Sequence, residues 1–139
     1  MQTRRNLNIL LAEDNPVNRK VALIALKKLG LKADTAENGR EVLVALEEHH
    51  YDLVLMDIQM PEMDGIEATK IIRKRWSQGP KIIVVTSIQA EVCRDLCYDV
   101  GADDYLNKPV KMDELGAAID RNMFGIGLNA TSEAQALYV

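Results

Sequence analysis

Two kinds of segment alternate along the chain. Residues 8–12, 52–56 and 81–85 are short runs dominated by Leu, Ile, Val, Ala and Met at successive positions. Strict alternation would mean one wet face, whereas a continuous apolar run reads as a strand buried on both faces. Weaker strand signals stand at 31–35 and 104–107.

Between these runs the apolar spacing turns helical. Val17, Val21, Ile24 and Ala25 fall on one stripe, with Arg19, Lys20, Lys27 and Lys28 mostly off it, and Gly30 reads as the stop. Val42, Ala45 and Leu46 predict a second helix with Asn38 as its cap. Asp64 opens a third carrying Ile66, Thr69 and Ile72 or Arg73 along a face; its basic residues gather at the C-terminal end, where the helix dipole favours them. Val92, Leu96 and Val100 predict a fourth, ended by Gly101, and Met112, Leu115 and Ile119 a fifth.

Five strand–helix units in alternation predict an α/β fold, a parallel sheet covered on both faces. Residues 1–7 read as a lead or linker and 8–123 as one domain. Residues 124–139 read as a tail or linker, with a short helix begun at Ser132. The chain has 139 residues, 47% of them hydrophobic, enough for a real core. With 4% aromatic content that core rests on aliphatic side chains. A net charge of -4 argues against broad nucleic-acid binding, and no apolar run approaches the ~20 residues of a membrane span. Residues 1–6 lead into no signal-type stretch, and two cysteines four apart, Cys93 and Cys97, make no disulfide scaffold. The expectation is a cytoplasmic domain.

In an open parallel sheet, ligands bind outside the carboxyl ends of the strands. Glu13, Asp14 and Asn15 follow the first strand and Asp57 the third. Thr86 and Ser87 follow the fourth, and Lys108-Pro109 the fifth. Three crowded carboxylates repel, and a hard divalent cation such as Mg²⁺ relieves them. A lysine and a hydroxyl opposite would serve the oxygens of a transferring phosphoryl group, with a carboxylate as nucleophile. Asp14 as a plain helix cap is the rival explanation for that residue, and Asp64-Gly65 reads as a turn signal.

The stretches Leu-Ala-Glu-Asp-Asn-Pro-Val-Asn (11–18), Met-Asp-Ile-Gln-Met-Pro-Glu-Met-Asp-Gly (56–65), Val-Thr-Ser (85–87) and Tyr-Leu-Asn-Lys-Pro (105–109) resemble the receiver domain of two-component response regulators. The likeness covers roughly residues 7–123 and is strongest to receivers attached to hybrid histidine kinases. It implies the flavodoxin-like strand order 2-1-3-4-5. It also implies that Asp57 accepts a phosphoryl group from a phosphohistidine on a histidine kinase or phosphotransfer protein. Glu13, Asp14, Asp57 and the backbone carbonyl of Gln59 would bind Mg²⁺ (or Mn²⁺), and Lys108 would pair with a phosphate oxygen. Thr86 would turn its hydroxyl to the phosphoryl group and Tyr105 would move inward, while Ser87 leaves room. The Lys108–Pro109 bond would be cis.

A domain of this kind catalyses its own phosphorylation and hydrolysis but has no separate turnover substrate. Its parent would be a hybrid histidine kinase, the domain then being the cytoplasmic part of a membrane-anchored sensor kinase, or a stand-alone response regulator. It could dimerise on phosphorylation through its fourth helix, fifth strand and fifth helix, a face containing Val92, Leu96 and Tyr105, with no contact to nucleic acid or membrane. An aspartyl-phosphate phosphatase is one rival, weakened because Gln59 stands where such enzymes carry a second Asp. A phosphorylation-independent interaction module is another. His49 and His50 read as solvent-exposed and Cys93 and Cys97 as small apolar residues. Ile88, two past Thr86, is expected to exclude attacking water and slow self-hydrolysis.

Overall fold

The computed structural model describes residues 7–87 and 90–125. The expectations for Ile88 and for the tail from residue 126 on lie outside the described residues, as do the side chains of Val92 and Cys93. Ten elements follow in order: β1 (Ile9–Ala12), α1 (Pro16–Lys28), β2 (Ala33–Ala36), α2 (Gly39–Glu48), β3 (Leu53–Asp57), α3 (Gly65–Arg75), β4 (Lys81–Thr86), α4 (Ala90–Asp99), β5 (Asp104–Asn107) and α5 (Met112–Phe124). The strands form one parallel sheet in the order β2-β1-β3-β4-β5. α5 thus extends through Phe124 and ends at Gly125 in the left-handed region (φ 68), one residue beyond the expected domain edge. Leu7, assigned to the lead, is buried against the core.

Successive strand residues point to opposite faces, so the continuous apolar runs feed two cores. Leu10, Ala12, Val54, Met56, Ile82 and Val84 lie on one face with Val42, Ala68, Ile72 and Cys97 of α2, α3 and α4. Ile9, Leu11, Leu53, Leu55 and Ile83 lie on the other with Leu26 of α1 and Leu115, Ala118 and Ile119 of α5. Each fully buried Leu or Ile contributes roughly 1.5–3 kcal/mol.

Local chemistry sets the helix starts. Asn38 caps α2 through Glu41 N–H at 2.9 Å, and Asp64 caps α3 through Glu67 N–H at 2.8 Å. At α1 the cap is Asn15, whose Oδ1 accepts from the N–H groups of Val17 and Asn18 with Pro16 at the first helical position. The capping role weighed for Asp14 therefore belongs to its neighbour.

Of the stripe expected to bury α1 only Ala25 packs inward, and the rest faces water. Val17, Val21 and Ile24 are 69%, 58% and 47% exposed, and the helix instead packs through Ala22, Ala25, Leu26 and Leu29. α1 carries two apolar stripes about 120° apart at 100° per residue, and only one can reach the sheet. Leu96 and Met112 are likewise exposed, α4 burying Cys97 and α5 burying Leu115 and Ile119. Among the described residues no helix is long and apolar enough to cross a membrane.

Candidate functional site

The carboxyl ends of β1 and β3 place three acids side by side. Asp57 closes β3, opposite Val85 of β4, one residue later than the sequence run suggested. Glu13 and Asp14 follow Ala12 directly, and Glu13 is fixed by its N–H to the carbonyl of Ala36 at 2.9 Å. One carboxylate oxygen from each of Glu13, Asp14 and Asp57 lies within 4.8 Å of the others. Glu13 and Asp57 are buried and Asp14 half-buried.

Lys108 enters from the end of β5. Its Nζ stands 3.0 Å from Glu13 Oε1 and 3.1 Å from Asp57 Oδ2. Its own N–H donates to the carbonyl of Thr86 at 2.8 Å, so the ends of β4 and β5 travel together. The following Lys108–Pro109 bond is cis. Thr86 is fully buried at the end of β4, opposite Asn107. Ser87 is exposed and donates from Oγ to Gln59 Oε1 at 3.2 Å, while Gln59 N–H donates to Asp57 Oδ1 at 3.2 Å.

The electrostatics are those of an overcrowded anionic site. Burial, then the Glu13 carboxylate, pushes the Asp57 carboxyl up to about 6, against the opposing pull of Lys108. Burial alone would lower the Lys108 ammonium, but its hydrogen bonds to Glu13 and Asp57 hold it above the usual lysine range. One ammonium faces three acids, two of them withdrawn from water. Hard oxygen donors in negative excess fit a divalent cation of the Mg²⁺ type.

Tyr105 lies apart from this group. It sits in mid-β5 opposite Val84, half-buried, with its ring edge-on to Tyr98 of α4 at 6.1 Å between centroids. His49 and His50 are exposed at the far end of the sheet, His50 Nε2 lying 3.1 Å from Asp52 Oδ1.

Two supporting residues escaped the sequence reading. Arg19 Nη1 donates to the carbonyl of Glu13 at 3.0 Å and steadies the acidic loop from α1. Gly65, whose neighbourhood reads as a turn, is required sterically, because a β-carbon there would collide with the carbonyl of Asp57. Its N–H donates to the carbonyl of Ile58 at 2.9 Å, drawing the start of α3 under the site. The pair Asp-Gly signals a turn at the sequence level, but the close approach is visible only in three dimensions. The Asn-Pro pair at 15–16 was the available signal for the α1 cap.

A parallel 2-1-3-4-5 sheet with an acidic trio and a lysine at its carboxyl edge defines the class of flavodoxin-like phosphoacceptor domains. The family model of the response regulator receiver domain matches residues 9–120, and the chain belongs to that family. Hybrid signal transduction histidine kinase K of Dictyostelium discoideum is 38% identical over 122 residues, which cover 82% of this chain and 10% of that protein. Histidine protein kinase 1 of Candida albicans is 43% identical over 120 residues, 78% of this chain and 5% of that protein. The chain therefore spans a small part of the curated relatives it matches. Among solved structures, the receiver domain of sensor histidine kinase PA1611 from Pseudomonas aeruginosa PAO1 superposes with a TM-score of 0.76 at 36% identity. That match covers 83% of this chain and 95% of the other, which carries a magnesium ion coordinated in its active site cleft.

Proposed function

We propose that this receiver domain is phosphorylated on Asp57 by a phosphohistidine of a histidine kinase or phosphotransfer protein, and that its parent is a hybrid histidine kinase or a stand-alone response regulator. The observation that carries the reading is the buried Asp57 carboxylate held 3.1 Å from Lys108 and beside Glu13 and Asp14. An Asp57 oxygen attacks phosphorus, the P–N bond of the donor breaks, and the imidazole leaves as the P–O bond forms. Lys108 lies where it can follow charge from the carboxylate to the transferred oxygens. Glu13, Asp14, Asp57 and the carbonyl of Gln59 would hold Mg²⁺ or Mn²⁺, which when bound neutralises the developing charge.

Phosphorylation adds about -1.5 to -2 charges. Thr86 is the residue we assign to reading that charge through its hydroxyl, with Ser87 leaving space for the group. Tyr105, moving inward from its contact with Tyr98, would carry the change to the face of α4, β5 and α5. That face is the proposed surface for a phosphorylation-dependent dimer, and a cytoplasmic location follows from the same phosphorelay reading. Self-phosphorylation and self-hydrolysis are the only catalysis assigned to the domain.

Acetyl phosphate with Mg²⁺ should add one phosphoryl group, seen as a single mass increment, and Asp57→Asn should abolish it. Labelling that survives in Asp57→Asn, or that maps to Asp14 or a histidine, overturns the assignment.

A further inference from the structure

The most conspicuous unassigned feature is a cavity of about 310 Å³ between α1 and α5, open at the carboxyl edge of the sheet. Leu11, Leu55, Ala25, Val110 and Leu115 line its body, and Glu13, Asp57 and Lys108 line its polar end. It exists because α1 sends little into it. Leu26 is the helix's one fully buried residue, and of the α1 positions that line the space, Asn18, Val21, Ala22 and Ala25, the two alanines carry only a methyl group. Val21, on the rim, is mostly exposed.

Size and charge together define what such a space accepts. An engineered apolar cavity of about 150 Å³ takes benzene, so twice that volume takes a bicyclic aromatic or a phenylalkyl body. At the polar end two buried carboxylates, with Asp14 within 4.8 Å of them, face a single ammonium. That balance repels an anionic head group and attracts a cationic one.

We propose that this cavity is a binding site for a small cationic amphiphile: an aryl-alkyl amine whose apolar body lies between Ala25 and Leu115 and whose ammonium pairs with Glu13 and Asp57. Such a ligand competes with a divalent cation at the same carboxylates. The proposal does not need the phosphorelay reading, because it rests on cavity shape and charge alone. Binding without phosphorylation, or phosphorylation without binding, would separate the two.

The test uses 2-(1-naphthyl)ethylamine, with 2-(1-naphthyl)ethanol and 1-naphthylacetate as neutral and anionic counterparts, titrated calorimetrically into the chain in EDTA. The amine should bind at least roughly tenfold more tightly than the acetate, with the alcohol between. Excess Mg²⁺ should displace it. Ala25→Leu, which fills the cavity without touching a carboxylate, should abolish binding, as should Ala22→Leu. If neither variant folds, nuclear Overhauser contacts from the naphthyl ring to the methyl groups of Leu115 and Val110 in the parent chain decide the matter. Equal affinity for amine and acetate, binding retained in a folded Ala25→Leu, or ring contacts confined to the exposed stripe of Val17 and Ile24, would overturn the proposal.

Discussion

At Asp57 burial and the neighbouring Glu13 carboxylate act in the same direction, and Lys108 acts against them. Together they push the carboxyl up from the ordinary 3.8 to about 6, so the folded state holds the proton more tightly than the unfolded one. Relative stability from this group is present below pH ~4 and is lost as pH rises through about 6. In metal-free protein, Asp57→Asn should therefore raise stability at pH 7–8 by on the order of 1–3 kcal/mol, and the advantage should shrink toward pH 4. Urea unfolding in EDTA across that range checks it; a variant less stable at pH 7.5 would mean that Lys108 dominates. The loop between β3 and α3 stores strain at Glu62, whose φ of 66 places a side chain in the left-handed region. Its ion pair with Arg40, at 3.8 Å, is exposed and contributes little. Glu62→Gly should stabilise the fold by roughly 0.5–1 kcal/mol, the relieved strain exceeding the added chain entropy. A denaturant midpoint below that of the parent would refute this.

Strands were legible in the sequence because burial on both faces leaves a mark that needs no knowledge of the neighbours. Runs at β1, β3 and β4 were visible to within about a residue, whereas β2, with Asp34 and Thr35 exposed at the sheet edge, gave only a weak signal. Helix orientation was harder, since periodicity identifies a stripe but not which of two stripes the sheet will cover. α1 shows this: of the stripe Val17, Val21, Ile24 and Ala25 only Ala25 packs on the core, where it joins Ala22 and Leu26. Site residues were legible because strand ends must converge, while the contact of Gly65 with Asp57 depends on a crossing that spacing does not encode. Arg73 is a similar case, since from the sequence the basic end of α3 shows only a favourable match to the helix dipole. Its Nε donates to the carbonyl of Gly101 at 2.8 Å and its Nη2 to Asp103 Oδ2 at 2.6 Å, and the same Asp103 oxygen accepts Ile82 N–H at 2.8 Å. This clamp joins α3 to the starts of β4 and β5. Arg73→Ala should cost roughly 1–3 kcal/mol by leaving half-buried acceptors unmatched, while Lys74→Ala, one residue on and exposed, should change little. Equal midpoints for the two variants would show that the clamp is ornamental.

Across the whole molecule, the parallel sheet separates its two ends by function. All five strands run the same way, so the carboxyl ends of β1, β3, β4 and β5 bring their residues to one edge, and the opposite end holds His49, His50, Tyr51 and Trp76. Trp76 is the chain's only tryptophan and caps the far end of α3. Asp64 and Trp76 bracket that helix 12 positions apart, which is ~18 Å of axis at ~1.5 Å per residue. The indole lies beside Arg75, whose guanidinium carbon is 5.9 Å from the ring centre, and no carboxylate of the trio shares its cavity. An ion bound among Glu13, Asp14 and Asp57 is thus too distant to quench the indole by contact, and its charge is screened over that separation. Mg²⁺ should raise the melting temperature, because a ligand bound only by the folded state stabilises it, yet leave Trp76 emission nearly constant. Asp14→Ala should lose the melting shift without altering the fluorescence baseline. A strong quench accompanying the melting shift would mean that ion binding reorganises α3 along its whole length, and an equal melting shift in Asp14→Ala would place the ion elsewhere on the molecule.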